Sequence, residues 1–441
     1  MRRGRPPDRR GSSTSAEAQQ RGAARPRSPA LTVQHPGRDL DLLLPGGVGR
    51  TAGELAAAIP DAGGQYVYLR EAYGPFFAFL YGWTQMWVAK SGSIATLATA
   101  FFTYMANFFP ALEGTLTEIH LPLLGLLTIK SGQIFAMVVV ALLGWLNYFG
   151  VRVGGNVQIG VTIVKVGLIA LLIIVGLTFS GGTTSNFTTS IPAAGGVAGF
   201  FAALVAALWA YDGWNNVSMV SSEIKNPQKN LPLALVFGTL AVMAIYILAN
   251  LAYFYVLSAS AVGASDRVAA EMMRRVWGAG GANAVSIAAM ISIFAALNGS
   301  ILTGSRVPYA MARDGLFFKS IGEVHPKYYT PANSIIALTA WSMLLILSGG
   351  YDQLFTYVIF ASWILYGMAT ASVIVLRRKR PDLERPYRAV GYPVIPIIFV
   401  LVATALILST LQKSPRESLL GLVIMATGIP FYLHWKRKLS A

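Results

Sequence analysis

Cysteine is absent from the 441 residues, and histidine occurs only four times. The first absence removes disulfides, thiolate nucleophiles and sulfur-ligated metals. The second, with no HExxH or GxSxG pattern anywhere, argues against a metal or serine hydrolase. Neither a metal nor a cofactor is expected. Charge is scarce too: 12% of residues are Asp, Glu, Lys or Arg, against roughly 25% in soluble domains. Because 54% of residues are hydrophobic, the chain would be insoluble alone. The formal charge of +16 does not indicate nucleic acid, because no soluble basic domain with aromatic or helix-turn-helix context accompanies it. No converging set of polar residues has recognisable catalytic spacing, so an enzyme is not expected either.

What the chain does have is long apolar runs. From Tyr73 onward, stretches of about 18 residues or more recur, each long enough for the roughly 30 Å hydrocarbon layer of a bilayer. We read about ten spans, near Phe76–Phe108, Gly132–Phe149, Asn156–Ser180, Gly196–Val220, Leu233–Leu257, Ala282–Met311, Ser334–Leu347, Leu354–Leu376, Val394–Leu411 and Leu419–Trp435. The fold class is therefore all-α, a polytopic membrane helix bundle. Basic residues gather in alternate loops, with Arg70, Arg152, Lys225, Arg306, Arg313, "LRRKRPDLERPYR" and Lys436 to Lys438 on one side. The positive-inside rule makes that side, and the C-terminus with it, cytoplasmic. A multi-pass protein of the cell membrane follows, with membrane lipid as its surroundings and no nucleic acid partner. Residues 1–50, rich in Arg, Pro, Gly and Ser, have no apolar face and read as a disordered basic tail ahead of a membrane domain over 51–441. No apolar h-region follows the basic start, so the tail is not a signal peptide.

One span is interrupted. "WAYDGWNNVSMVSSEIKNPQKNLP" places Tyr211, Asp212, Gly213, Asn215 and Asn216 near the middle of an apolar run. In hydrocarbon an unsatisfied backbone group costs several kcal/mol, so a helix unwinds only where protein or a watery cavity takes over its hydrogen bonds. A glycine kink satisfied by neighbouring helices is the plain explanation. The other is a substrate site, since secondary transporters build theirs from broken helices at the bilayer midplane.

These residues resemble the sixth helix and following loop of the amino acid–polyamine–cation (APC) superfamily, in the branch of L-type amino acid transporters. "AAAIPDAGGQYVYLREAYGPFFAFLYGW", "LNGSILTGSRVPYAMARDGLFF" with "VHPKYYTP", and "LRRKRPDLERPYRAVGYPVIP" resemble further segments of that family in the right order. The likeness runs from about Thr51 to the end of the chain. It implies twelve helices, the first ten forming two inverted five-helix repeats, and secondary active transport of amino acids by alternating access, as exchange or coupled uptake. It also implies site roles. Trp209 falls where the family has an aromatic gate, the carbonyls of Trp209, Ala210 and Tyr211 would accept the substrate ammonium, and Asp212 and Asn215 would flank the pocket.

Lys165 lies about nine residues into its span, roughly 14 Å from that end and deeper than a lysine stem comfortably snorkels. An intramembrane lysine is a functional candidate. The family holds a lysine here where sodium-coupled relatives hold a cation, so Lys165 would stand in for a coupling ion; structural pairing is the alternative. Lys90 interrupts the Phe76–Phe108 run, which we read as one long tilted helix, with Lys90 near a cavity or a neighbouring helix. Asn298, Ser300 and Thr303 either line a path or bond between helices. Asn186 begins a formal glycosylation sequon.

One departure from the family pattern bears on activity. No broken first helix with a Gly-Ser-Gly-Ile-like segment precedes "ELAAAIP", and most of the second is missing. The expectation is a misassigned start and impaired transport; the alternative is a non-transporting or truncated membrane scaffold. The sequence assigns no oligomeric state and no accessory subunit.

Overall fold

Gly74, at φ 95°, ends one helix and Pro75 opens the next, a pairing that suits a residue without Cβ at the left-handed turn and a fixed φ at the first helical position. The computed structural model describes residues 47–121, 125–188, 213–265, 267–348, 351–413 and 415–440. The basic tail predicted for 1–50 lies almost wholly outside these residues.

In chain order, α1 is Gly47–Ala58, α2 Gln65–Tyr73, α3 Pro75–Thr84 and α4 Lys90–Ala106. A π-turn at Gln85–Ala89 joins α3 to α4. Ser91 Oγ donates to the Met86 carbonyl five residues back at 2.8 Å, which helps hold the widened turn. The single tilted helix expected over Phe76–Phe108 is thus a helix with one π-bulge, and Lys90 stands just past it. A two-stranded antiparallel hairpin, β1 Thr115–Leu121 and β2 Gly125–Lys130, follows; the all-α reading missed it. Then come α5 Ser131–Tyr148 and α6 Val151–Leu177. Gln133 Oε1 accepts from the Lys130 amide at 2.7 Å and closes a capping box at the start of α5.

After the break lie α7 Pro227–Val256, the short α8 Ala259–Gly263, and α9 Val268–Gly304, which is kinked at Trp277 and Gly278. The chain continues through α10 Arg306–Arg313, α11 Ala332–Leu347, α12 Tyr351–Lys379, α13 Val394–Lys413, α14 Pro415–Ala426 and α15 Gly428–Ser440. Among the described residues, six helical stretches are long and apolar enough to cross a membrane. Three further expected spans coincide with α3–α4, α11 and α12. Residues 196–212, most of the remaining one, are outside the described set.

Packing follows the apolar pattern. The main core joins α2, α3, α5, α9 and α11 through fully buried Tyr66, Phe79, Leu143, Leu297, Ile301 and Leu338. By contrast α6 leaves Ile159, Ile163 and Ile174 about three-fifths exposed, at 61%, 68% and 58%. An element apolar around most of its circumference, yet uncovered by protein, suits lipid rather than water. The chain is a multi-pass integral membrane protein.

Three ion clusters tie distant segments together near helix ends. Asp314 accepts from Arg70 Nη1 at 2.8 Å and from the Tyr66 hydroxyl at 2.9 Å; burial, and next the Asp314 charge, push the Tyr66 phenol above its ordinary value. Glu223 accepts from Arg306 Nε at 2.8 Å and Nη2 at 3.0 Å. Glu54 accepts from Arg377 Nε and Nη2 at 2.8 and 2.6 Å and from the Ala389 amide at 2.7 Å. Arg385 Nε lies 3.4 Å from the same carboxylate.

Candidate functional site

Gly213 has φ 89°, a conformation that strains residues with a Cβ. Its carbonyl accepts from the Asn216 amide at 3.0 Å, and the chain proceeds as a 3-10 helix over Asn216–Glu223 that kinks at Val220. Continuous α-helix is therefore absent just where the sequence becomes polar. Trp209, Ala210, Tyr211 and Asp212 lie outside the described residues, so the expected gate and ammonium acceptors have no geometry here.

The segment that begins at Gly213 borders a cavity of about 790 Å³, within the size usual for small-molecule sites. Its described walls come from five directions: Ser93 and Leu97 of α4, Gln158 and Lys165 of α6, Gly213, Trp214 and Asn216, Thr239 and Tyr246 of α7, and Gly299, Ser300 and Thr303 of α9. Lys165 lines this cavity, and among the described residues no ion pair to it is found. Ser300 and Thr303 line the cavity as one of their two readings required. Asn298 does not. It donates to Gln158 Oε1 at 3.0 Å and to the Gly154 carbonyl, and accepts from Asn147 Nδ2 at 2.9 Å, joining α5, α6 and α9.

The two adjacent asparagines divide. Asn216 faces the cavity, and its Oδ1 accepts from Lys90 Nζ at 2.8 Å. Asn215, 1% exposed, borders a separate small pocket beside Gln65 and Tyr68. Sequence reasoning placed Asn215 at the substrate and left Asn216 without a role. Lys90 is 6% exposed, and its stem lies against Gly304, where an added methyl would overlap Lys90 Cγ. Gly304→Ala should displace that stem and weaken the bond to Asn216. We expect a loss of about 1.5–3 kcal/mol, the worth of a hydrogen bond to a charged group, read as a lower melting temperature in detergent, with little further loss when Lys90→Met is added. An additive effect would show that Lys90 does not mediate it.

The family model described as Amino acid permease matches residues 46–428. The chain belongs to that family. Among the permease's relatives, b(0,+)-type amino acid transporter 1 of Mus musculus is 33% identical over 388 residues, covering 86% of this chain and 75% of the relative. The serine/threonine exchanger SteT of Bacillus subtilis (strain 168) is 33% identical over 400 residues, covering 90% and 86%. The cystine/glutamate transporter of Homo sapiens is 29% identical over 390 residues, covering 87% and 75%. The relatives are transporters and exchangers, not enzymes, and the resemblance read from the sixth-helix motif holds.

Signals for the sites that sequence reasoning missed are uneven. Lys90 was visible as a charge in an apolar run. Gln158, Thr239 and Tyr246 were not, because single polar residues on long helices carry no mark of the direction they face.

Proposed function

We propose that this permease moves amino acids across the cell membrane as an antiporter, by alternating access through the cavity beside Gly213, with its C-terminus in the cytoplasm. One observation carries the reading: the polar break, Lys165 and the Ser300–Thr303 face meet around a single cavity of about 790 Å³. In this reading the carbonyls of Trp209, Ala210 and Tyr211 accept the substrate ammonium, Trp209 closes over it, and Asp212 biases the pocket toward cationic or polar side chains. Lys165 supplies the fixed charge that a coupling ion supplies elsewhere. A fixed ammonium needs no sodium gradient, so exchange is favoured over sodium-driven uptake. SteT, named as an exchanger, supports the same mode.

The test is counterflow by the purified full chain in liposomes, with labelled serine, threonine, lysine, cystine and glutamate in turn. Exchange of at least one, independent of sodium, is expected. Lys165→Met should lower it by about tenfold or more, the effect of losing a charged contact worth roughly 1.5–3 kcal/mol. Counterflow unchanged in that variant would remove Lys165 from the mechanism. No counterflow with any amino acid would favour the non-transporting scaffold.

A further inference from the structure

The pocket that holds Asn215 is too small for an amino acid. Its volume is about 10 Å³, the room one water molecule needs. It lies between α1, the start of α2, the residues after Gly213, and Ala369 and Thr370 of α12. Three of its polar atoms are buried without a hydrogen bond among the described residues, Gln65 Oε1 and both Oδ1 and Nδ2 of Asn215, and the Tyr68 hydroxyl stands beside them, close to the hydroxyls of Ser218 and Ser221. Their residues are 4%, 1% and 1% exposed. Each such group left bare costs about 1–3 kcal/mol, so three together are a strong demand for an occupant.

The occupant's chemistry follows from the atoms. Two amide oxygens accept, Asn215 Nδ2 donates, and the Tyr68 hydroxyl does either. A cation would be repelled by the donor and would want several oxygens and a neighbouring anion, yet no charged side chain is among the described lining residues. An anion would find too few donors. A molecule that both donates and accepts, and fits this space, satisfies three of the groups at once.

We propose that this pocket is a binding site for one ordered water, held by Gln65, Tyr68 and Asn215, which pins the strand of chain after Gly213 to the start of α2. The backbone around it is already docked there. The Gly63 amide donates to the Met219 carbonyl at 2.9 Å, and an added Cβ at Gly64 would stand 2.6 Å from Ser218 Oγ. Such close approach fixes two walls of the pocket, whose lining includes Gln65, Tyr68 and Asn215. The site is independent of the transport reading, and it gives Asn215 a role away from the substrate.

Radiolytic hydroxyl labelling of the purified full chain tests it, because radicals born from a bound water mark the side chains beside it even where bulk solvent cannot reach. Tyr68 should label at least about fivefold faster than Phe79, a fully buried aromatic of the main core. In Gln65→Met with Asn215→Leu, Tyr68 labelling should fall to the Phe79 level, and the melting temperature of the double variant should drop by less than the sum of the two single drops. Tyr68 as unreactive as Phe79 in the unaltered protein would overturn the proposal. So would Tyr68 labelling that is lost in sodium or potassium but kept in choline, which would mark the occupant as a cation.

Discussion

Arg306→Met is expected to destabilise the protein by about 3–5 kcal/mol, the usual result of removing one partner from a buried ion pair. Arg306 is 1% exposed, the largest fully buried side chain described. Four of its five N–H groups donate: Nε and Nη2 form a two-pronged bond to Glu223, and Nη1 donates to the Leu302 carbonyl and to Ser305 Oγ. Removing it strands the Glu223 carboxylate, which is still three-quarters buried at 26% exposure, and leaves the Leu302 carbonyl with only the Ser305 hydroxyl among side-chain donors. Two segments come loose together, the 3-10 helix that ends the polar break and the junction of α9 with α10. The Ser334 hydroxyl, which donates to the Ser305 carbonyl at 2.5 Å, would lose its alignment as well. Unfolding in mixed micelles measures the loss, and Arg306→Met with Glu223→Gln should recover part of it, since a neutral amide no longer demands a cation. Equal losses in the single and double variants would mean that the pair is not the cause.

Glu54→Ala should cost a similar amount, about 3–5 kcal/mol. Here a single carboxylate, 2% exposed, collects Arg377, Arg385 and the Ala389 amide. Without it two guanidiniums face each other in a buried corner, and the Ala389 amide has no acceptor. Arg377 keeps one other support, the Tyr392 ring 3.7 Å beneath its guanidinium carbon, a contact of about 0.5–2 kcal/mol. That does not offset the loss. Glu54→Gln should fall between, because it keeps an acceptor and loses the charge. If Glu54→Ala melts with the unaltered protein, the cluster contributes nothing to the fold.

Both clusters show where sequence reading ends. Glu54 and Arg377 are 323 residues apart, and each by itself looks like an ordinary charge at the end of an apolar run. Helix positions were readable because long apolar stretches leave the chain few alternatives in a bilayer. The break at Gly213 was readable for the same reason in reverse: amides and a glycine in mid-span have a cost that demands a cavity. Lys165 could be placed by counting residues from its span end. The sidedness of Asn215 and Asn216 could not be, since the two letters are identical and the turn that separates them depends on the left-handed backbone at Gly213. The β1–β2 hairpin escaped because its run "TLTEIHLPLLGLLTIK" lies between the spans read as Phe76–Phe108 and Gly132–Phe149 and reads as a connection.

The opposite facing of Asn215 and Asn216 bears on how relatives are compared. In a 3-10 helix each residue advances about a third of a turn, so one inserted or deleted residue between Gly213 and Asn216 would rotate the pair and trade their surroundings. Lys90 would then meet a different side chain, and the small pocket would lose its amide. An aligned asparagine column in this stretch therefore identifies equivalent contacts only among chains that keep the same number of residues after the glycine.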